Sequence, residues 1–287
     1  FLDKDSRMLV ETPTYLGALQ AFAPQEPLAV SVASDDDGIL VDDFAAKVGT
    51  GADKARLAYV LPNFQNPTGR TMTGARRAAL VAKAAELNIP LIEDNPYGDL
   101  WFGEAPPAPL TARNPDGCIY MGSFSKVLAP GLRIGFLVAP KAIYPKLLQA
   151  KQAADLHTPG FNQRVVAEVI RDGFLDRHVP TIRALYKQQR DTMLDALERE
   201  MAGLDVTWTR PAGGMFLWVM LPEGMDAQAL LPAAVERNVA FVPGAPFYAE
   251  HPDTRTLRLS YVTATSDEIR TAIAALAAAI RAQLAKG

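Results

Sequence analysis

Short apolar runs alternate with helical patterns over the first two thirds of the chain, and this alternation restricts the fold more than any other feature. Residues 57–61 form a buried-strand pattern that ends at Pro62. A helical pattern follows, from a cap at Thr73 to about Leu87, and residues 90–94 then form another short apolar run. Strand, helix and strand in this order predict a parallel sheet with helices packed on its faces.

Two further strands are predicted at residues 118–121 and 134–138, and the pattern then changes. A long helical pattern over residues 182–201 leads into a second set of strand patterns, at 206–209, 214–221 and 256–261. We therefore predict an α/β fold with a mostly parallel sheet in a large domain, 1–181, and a smaller α+β C-terminal domain, 182–287.

The closing helix is predicted from its start signal and its apolar spacing. Thr265 and Glu268 form a capping-box pattern. The apolar stripe that follows contains Ile269, Ile273, Leu276, Ile280 and Leu284. A stripe at this spacing predicts a helix that buries one face.

Composition and charge exclude several classes of function. Lys and Arg number 29 against 32 Asp and Glu, so no basic excess favours nucleic acid or an anionic membrane surface. Cys118 is the single cysteine, which excludes a disulfide framework and a cysteine-based zinc site. The three histidines lie far apart in the sequence, so we expect no metal site. The longest apolar runs are too short for a membrane span.

The first residues of the chain lack an initiator Met and a signal-peptide pattern, and Leu9 and Val10 already have the character of a buried strand. We therefore expect that an N-terminal segment of the fold is missing from this chain. The absent signal and the lone cysteine favour a cytoplasmic protein.

Three polar clusters follow predicted strands. Residues 66–69 read Asn-Pro-Thr-Gly, Asp94 and Tyr97 close the next strand, and residues 123–126 read Ser-Phe-Ser-Lys. Ligands of open parallel sheets bind beyond the carboxyl ends of the strands. We therefore expect the three clusters to line one pocket.

Lys126 is the candidate nucleophile of that pocket. A lysine near a sheet edge attacks an aldehyde once burial and neighbouring cations remove its proton. Ser123, Ser125 and Arg133 have the chemistry to hold a phosphate. An aldehyde and a phosphate on one small molecule indicate pyridoxal 5′-phosphate. Taken alone, the motif fits a surface lysine before a Pro-Gly turn equally well.

Asp94 provides a second indication of that cofactor. A carboxylate beside a pyridine nitrogen keeps the nitrogen protonated, so that the ring withdraws electrons from the substrate. Tyr97 and Asn66 have groups that can donate to the ring hydroxyl oxygen. Taken singly, Asp94 also fits a strand-end turn or helix cap, and the segment 66–69 also fits a plain turn.

Together these motifs resemble the fold-type I, class I/II aminotransferases, which use pyridoxal phosphate. The resemblance rests on PNFQNPTG at 62–69, EDNPY at 93–97, SFSKVLAPGLR at 123–133 and Arg258 within TLRLS at 256–260. It extends from about Val10 to the last helix.

The resemblance implies a role for each matching residue. Lys126 would bind the cofactor covalently and move the proton at Cα, while Asp94 would pair with the ring nitrogen. Tyr97 and Asn66 would contact the ring hydroxyl oxygen. Ser123 and Arg133 would hold the phosphate, with Ser125 as a weaker candidate. Arg258, together with Asn66, would bind the substrate carboxylate. Tyr15 would stack on the ring face. Ordinary packing at a helix start is the alternative for Tyr15.

The sequence is also similar to the bacterial 2-aminoadipate aminotransferases of lysine biosynthesis. The runs that carry this similarity are 16–22, 149–158, 210–216 and 239–247. It implies a homodimer that transfers an amino group from 2-aminoadipate, or a similar acidic or bulky amino acid, to 2-oxoglutarate. The family's Gly-Ser-Gln-type phosphate segment and its N-terminal arm do not occur in this sequence; we expect cofactor affinity and turnover to fall if they are deleted, and to be normal if the full enzyme has them.

Two other activities fit the same motifs. The first is the aminotransferase-like effector domain of a MocR-type transcription regulator. The second is a fold-type I lyase or decarboxylase, which shares the lysine chemistry and differs in how the carbanion breaks down.

Overall fold

A computed structural model describes residues 1–285 as two main sheets surrounded by helices. The strands are β1 (Arg7–Glu11), β2 (Leu28–Val32), β3 (Ser34–Asp35), β4 (Gly38–Ile39), β5 (Leu57–Val60), β6 (Leu91–Asp94), β7 (Cys118–Ser123), β8 (Gly135–Val138), β9 (Thr207–Trp208), β10 (Phe216–Met220), β11 (Val242–Pro243) and β12 (Thr256–Ser260). The helices are α1 (Leu16–Phe22), α2 (Val41–Lys47), α3 (Gly74–Glu86), α4 (Leu110–Arg113), α5 (Tyr144–Asp155), α6 (Gly160–Ile170), α7 (Phe174–Glu200), α8 (Ala227–Val235) and α9 (Ser266–Leu284).

The larger sheet has the strand order β2-β1-β5-β6-β7-β8. All neighbours are parallel except β7 and β8, which pair antiparallel. Residues of β1 and β5 are buried on both faces of this sheet, which is the environment that near-continuous apolar strands require. The predicted α/β fold with a mostly parallel sheet is confirmed.

Helix α3 forms where the sequence predicted it. The Thr73 hydroxyl accepts from the backbone N–H of Arg76 at 3.3 Å, so the predicted cap is present. Leu80, Val81 and Ala84 are buried against the sheet. Asn88 has φ 53°, the left-handed conformation that ends many helices.

The second sheet is antiparallel, in the order β11-β12-β10-β9. Its core is shared with α7, α8 and α9. Thr265 and Glu268 form the capping box that the sequence predicted. The first four members of the apolar stripe of α9 are buried, but Leu284 is 41% exposed, so that part of the prediction was wrong. Leu284 lies in the last turn, where α9 has passed the edge of the core.

Helix α7 begins at Phe174, upstream of the predicted start near residue 182. Pro180 lies inside this helix, and Val179 beside it is buried. Packing of the buried side of α7 against the rest of the protein therefore stabilises its first two turns, although the proline disfavours helix there. The division into domains 1–181 and 182–287 stays a prediction, and its boundary falls within α7.

Among residues 1–285, no helix combines the length and the apolar composition that a membrane crossing needs.

Candidate active site

The carboxyl ends of β5, β6 and β7 lie side by side at one edge of the larger sheet. Val60 pairs with Glu93, and Asp94 pairs with Met121. The polar segments that follow these three strands therefore leave the sheet at neighbouring positions. This edge is where open parallel sheets bind their ligands.

Asp94 ends β6 as a largely buried carboxylate. Burial raises the pKa of Asp94 above its usual value, and a hydrogen bond from Tyr59 opposes that rise. The Tyr59 hydroxyl donates to Asp94 Oδ2 at 2.6 Å. Sequence reasoning missed Tyr59; its only signal was a hydroxyl-bearing aromatic residue within an otherwise apolar strand.

Tyr97 lies at the centre of the sequence-predicted residues. Its side chain is buried and packs edge-on against Phe216, with ring centroids 5.8 Å apart. Burial raises the pKa of the Tyr97 hydroxyl, as do the nearby Tyr15 hydroxyl and the Asp94 carboxylate, whereas Arg258 and a hydrogen bond with Asn66 lower it. Tyr97 therefore connects the strand-end aspartate with the residues at 66 and 258.

Arg258 reaches this region from the second sheet. Its Nη1 donates to Asn66 Oδ1 at 2.7 Å across 192 positions of sequence. The guanidinium carbon lies 4.1 Å from the Phe216 ring centroid and 5.2 Å from that of Phe247. Nε is buried and has no hydrogen-bond partner among the described residues. The group is thus a cation beside apolar rings with donor capacity left for an anion.

Lys126 also lies near Tyr97, with Nζ 6.0 Å from the centroid of that ring. Burial lowers the pKa of the Lys126 amine, and the positive charges of Arg133 and Arg258 lower it further. More of the amine is therefore neutral at a given pH, which is the form that attacks a carbonyl carbon.

The remaining predicted residues differ in their placement. The Ser125 backbone N–H donates to Ser123 Oγ at 3.1 Å, so these two residues lie together. Arg133 is exposed, and its Nη1 donates to the Pro130 carbonyl at 3.2 Å within its own turn. Its charge still acts on Lys126. The structure therefore brings Arg133 near the site without directing its guanidinium at the two serines.

Tyr15 lies at the start of α1 and is 37% exposed. Its ring covers Gly17 so closely that a Cβ at position 17 would collide with it. Tyr15 acts electrostatically on Tyr97 and Arg258, which places its hydroxyl near them. The predicted ring-stacking residue is therefore close to the site and presents an aromatic surface.

Glu11 is a further buried acid that sequence reasoning missed. Its Oε2 accepts from the backbone N–H of Leu61 at 2.8 Å, and its side chain also hydrogen-bonds Gln65. Burial raises the pKa of Glu11 to about 7. Gln65 in turn donates to the Pro13 carbonyl at 3.2 Å. These contacts support the loop that carries Asn66. The available signal was an acidic residue at the end of an apolar strand, two positions before a proline.

The chemistry of these side chains fits pyridoxal phosphate. A largely buried carboxylate at Asp94 suits a protonated ring nitrogen, and Lys126 supplies an amine of lowered pKa for the aldehyde. Tyr97 and Asn66 offer donors for the ring hydroxyl oxygen. Ser123 supplies a hydroxyl for the phosphate, while Arg133 would have to turn from Pro130 to reach it.

Comparison with known proteins gives consistent results. The family described as "Aminotransferase class I and II" matches residues 1–276. The 2-aminoadipate transaminase of Thermus thermophilus is 43% identical over 99% of this chain and 72% of its own length. Aromatic-amino-acid aminotransferase 1 of Thermococcus litoralis is 41% identical over 100% of this chain and 69% of its own length.

A solved structure and a regulator also match. The crystal structure of Pyrococcus horikoshii kynurenine aminotransferase has a TM-score of 0.94 and 41% identity, covering 99% of this chain and 71% of that one. An uncharacterized HTH-type transcriptional regulator of Bacillus subtilis is 35% identical over 98% of this chain and 57% of its own length.

Proposed function

This chain belongs to the class I and II aminotransferases, enzymes that depend on pyridoxal phosphate, and from that premise we propose that it transfers the amino group of 2-aminoadipate, or of a similar acidic or bulky amino acid, to 2-oxoglutarate. The observation that carries the proposal is the grouping of Lys126, Asp94 and Arg258 around Tyr97. This grouping brings together an amine, a carboxylate and a cation for the substrate.

When bound, pyridoxal phosphate supplies an aldehyde that takes up the amino group and a ring that withdraws electrons from Cα. Lys126 would hold the cofactor through Nζ, and its amine, in the neutral form, would remove and return the proton at the substrate Cα. The lowered pKa of Lys126 increases the fraction of amine able to do so. Asp94, as a carboxylate, would bind the protonated ring nitrogen.

Arg258 binds the substrate α-carboxylate through the donors that Asn66 leaves free. A planar guanidinium matches a carboxylate in two parallel bonds. Phe216 and Phe247 lie beside the guanidinium and reduce its contact with water, which strengthens an ion pair because the local dielectric constant is lower than in bulk water. Tyr97, supported by Asn66, would donate to the ring hydroxyl oxygen. Ser123, with Ser125 nearby, would hold the phosphate together with Arg133 once the guanidinium turns from Pro130, and Tyr15 would cover the ring face.

The substrate proposal is supported by the names of the relatives, which cover 2-aminoadipate, aromatic amino acids and kynurenine. These substrates share an α-amino acid end that Arg258 can bind and a long side chain. 2-Oxoglutarate is proposed as acceptor because it is a five-carbon acid that also carries a second carboxylate, like 2-aminoadipate.

We also propose that the protein is a homodimer. Several large apolar side chains are exposed on β8, α5 and α6, and exposed apolar surface is typical of an interface. These side chains are Phe136, Leu137, Val138, Leu148 and Phe161. Size-exclusion chromatography with light scattering tests the proposal, and a monomer at micromolar concentration contradicts it.

The regulator in Bacillus subtilis supports a second candidate, an effector domain that binds the cofactor without turnover. A fold-type I lyase is distinguished by its product, because a lyase breaks a side-chain bond whereas a transaminase returns a 2-oxo acid with the side chain intact.

The deciding experiment follows the half-reaction. The protein is loaded with pyridoxal phosphate and incubated in parallel with 2-aminoadipate and with aromatic amino acids, and the products are identified by mass spectrometry. We expect 2-oxoadipate from the first substrate and no product from Lys126→Ala. Lys146→Ala, which removes an exposed lysine on α5, is the matched control. Cofactor bound to Lys126 without any 2-oxo acid contradicts the transaminase and favours the effector domain.

A further inference from the structure

Tyr59 approaches Asp94 from the neighbouring strand. β5 and β6 pair in parallel, and the Tyr59 hydroxyl lies 2.6 Å from Asp94 Oδ2. Tyr59 itself is 1% exposed, so water does not compete for this bond. Among the described residues, the Asp94 carboxylate receives no second side-chain hydrogen bond. One oxygen of Asp94 is therefore fixed by Tyr59, and the other is left for a ligand.

The surroundings of Tyr59 keep its proton in place. Burial raises the pKa of Tyr59 well above its usual value, and the charges of Asp94 from β6, Glu11 from β1 and Tyr15 from the start of α1 raise it further. Phe22 packs edge-on against the Tyr59 ring, with centroids 5.7 Å apart. The hydroxyl is thus protonated and held in one orientation, so it acts as a donor to the carboxylate.

We propose that Tyr59 is a positioning residue that keeps Asp94 ionised and directs its second oxygen to the nitrogen of the cofactor ring. The inference rests on the proposed role of Asp94. A donor to a carboxylate stabilises the ionised form. The proton shared between Asp94 and the ring nitrogen then stays on the nitrogen, where it increases electron withdrawal from the substrate.

The test compares Tyr59→Phe with the matched control Tyr261→Phe. Both tyrosines are fully buried, and each donates one hydrogen bond through its hydroxyl, in the case of Tyr261 to the Gly213 carbonyl at 2.9 Å. Each holoenzyme is loaded with pyridoxal phosphate labelled with ¹⁵N in the ring, and the ¹⁵N resonance of the bound cofactor is recorded. This readout reports ring protonation and does not depend on turnover.

In Tyr59→Phe we expect the ¹⁵N resonance to move toward the unprotonated position, while the control keeps the wild-type position. We expect kcat to fall about 10- to 100-fold, the range for one hydrogen bond to a charged group, with little change in KM for the amino acid. Site-specific replacement of Tyr59 by 4-aminophenylalanine, a weaker donor of nearly the same size, should shift the resonance part of the way in the same direction. This second variant decides the matter if Tyr59→Phe does not fold.

A wild-type ¹⁵N resonance in both Tyr59 variants overturns the inference. Equal changes in Tyr59→Phe and the control also overturn it, because they indicate a general effect of losing a buried hydroxyl. Failure of the proposed function has a different signature, in which the wild-type protein forms no Lys126-dependent cofactor absorbance and gives no 2-oxo acid.

Discussion

Glu11 provides a quantitative test of how the larger sheet supports the active-site loop. The side chain is 3% exposed and accepts a hydrogen bond from Leu61 N–H. Burial raises its pKa from 4.5 to about 7. Glu11→Gln keeps the shape and the acceptor oxygen but removes the ionisation, so the variant isolates the contribution of the charge.

The direction in which pH changes the stability of the wild type follows from proton binding by Glu11 in the folded and unfolded states. The folded protein holds the Glu11 proton up to about pH 7, whereas the unfolded chain releases it near pH 4.5. Stability of the wild type therefore falls as pH rises through this window and changes no further above it. One pKa unit corresponds to about 1.4 kcal/mol, so the loss between about pH 5 and about pH 8 is about 2.5 kcal/mol. Glu11→Gln does not undergo this loss.

The assay is urea unfolding of both proteins with saturating pyridoxal phosphate, near pH 5 and near pH 8. We expect the free energy of unfolding of Glu11→Gln, relative to that of the wild type, to increase by about 2.5 kcal/mol from the lower to the higher pH. Other groups titrate equally in both proteins and cancel in the difference. Glu104→Gln, at an exposed position, is the control and should show no such change. A difference between wild type and Glu11→Gln that is independent of pH refutes the reasoning.

Three further predictions concern the substrate cation, the phosphate site and the last helix. Arg258→Lys should lower kcat/KM for the amino acid by about 10- to 100-fold, because lysine cannot form two parallel bonds with a carboxylate; an unchanged value in steady-state kinetics contradicts the assigned role. Arg133→Gln should weaken pyridoxal phosphate binding by about tenfold, measured by fluorescence titration, because one charge-assisted contact to the phosphate is lost. Equal affinity of the variant and the wild type would contradict this contact and indicate that the guanidinium stays bonded to the Pro130 carbonyl. Thr265→Ala should lower the free energy of unfolding by about 1 kcal/mol in urea titrations, because the N-cap of α9 is lost, and Thr254→Ala, at an exposed position, should lower it less.

The local patterns of the sequence predicted much of the fold because burial of a strand or helix face leaves a period in the sequence. Helix α3, with its cap at Thr73, and helix α9, with its capping box, follow from such patterns. The predicted cofactor site also follows from the sequence, since polar residues directly after apolar runs mark the carboxyl ends of strands. The order of the strands does not follow, because nothing local records that β1 inserts between β2 and β5.

The sequence alone determined an α/β chain whose lysine, aspartate and arginine motifs match one family of enzymes. Only the tertiary structure decided which groups touch. Arg258 meets Asn66 across 192 positions, and Tyr59 meets Asp94 across 35. Both contacts depend on how separate strands are placed beside one another. Contacts between residues far apart in the sequence leave no periodic pattern in it, because each residue fits the pattern of its own strand or loop whether or not its partner is near.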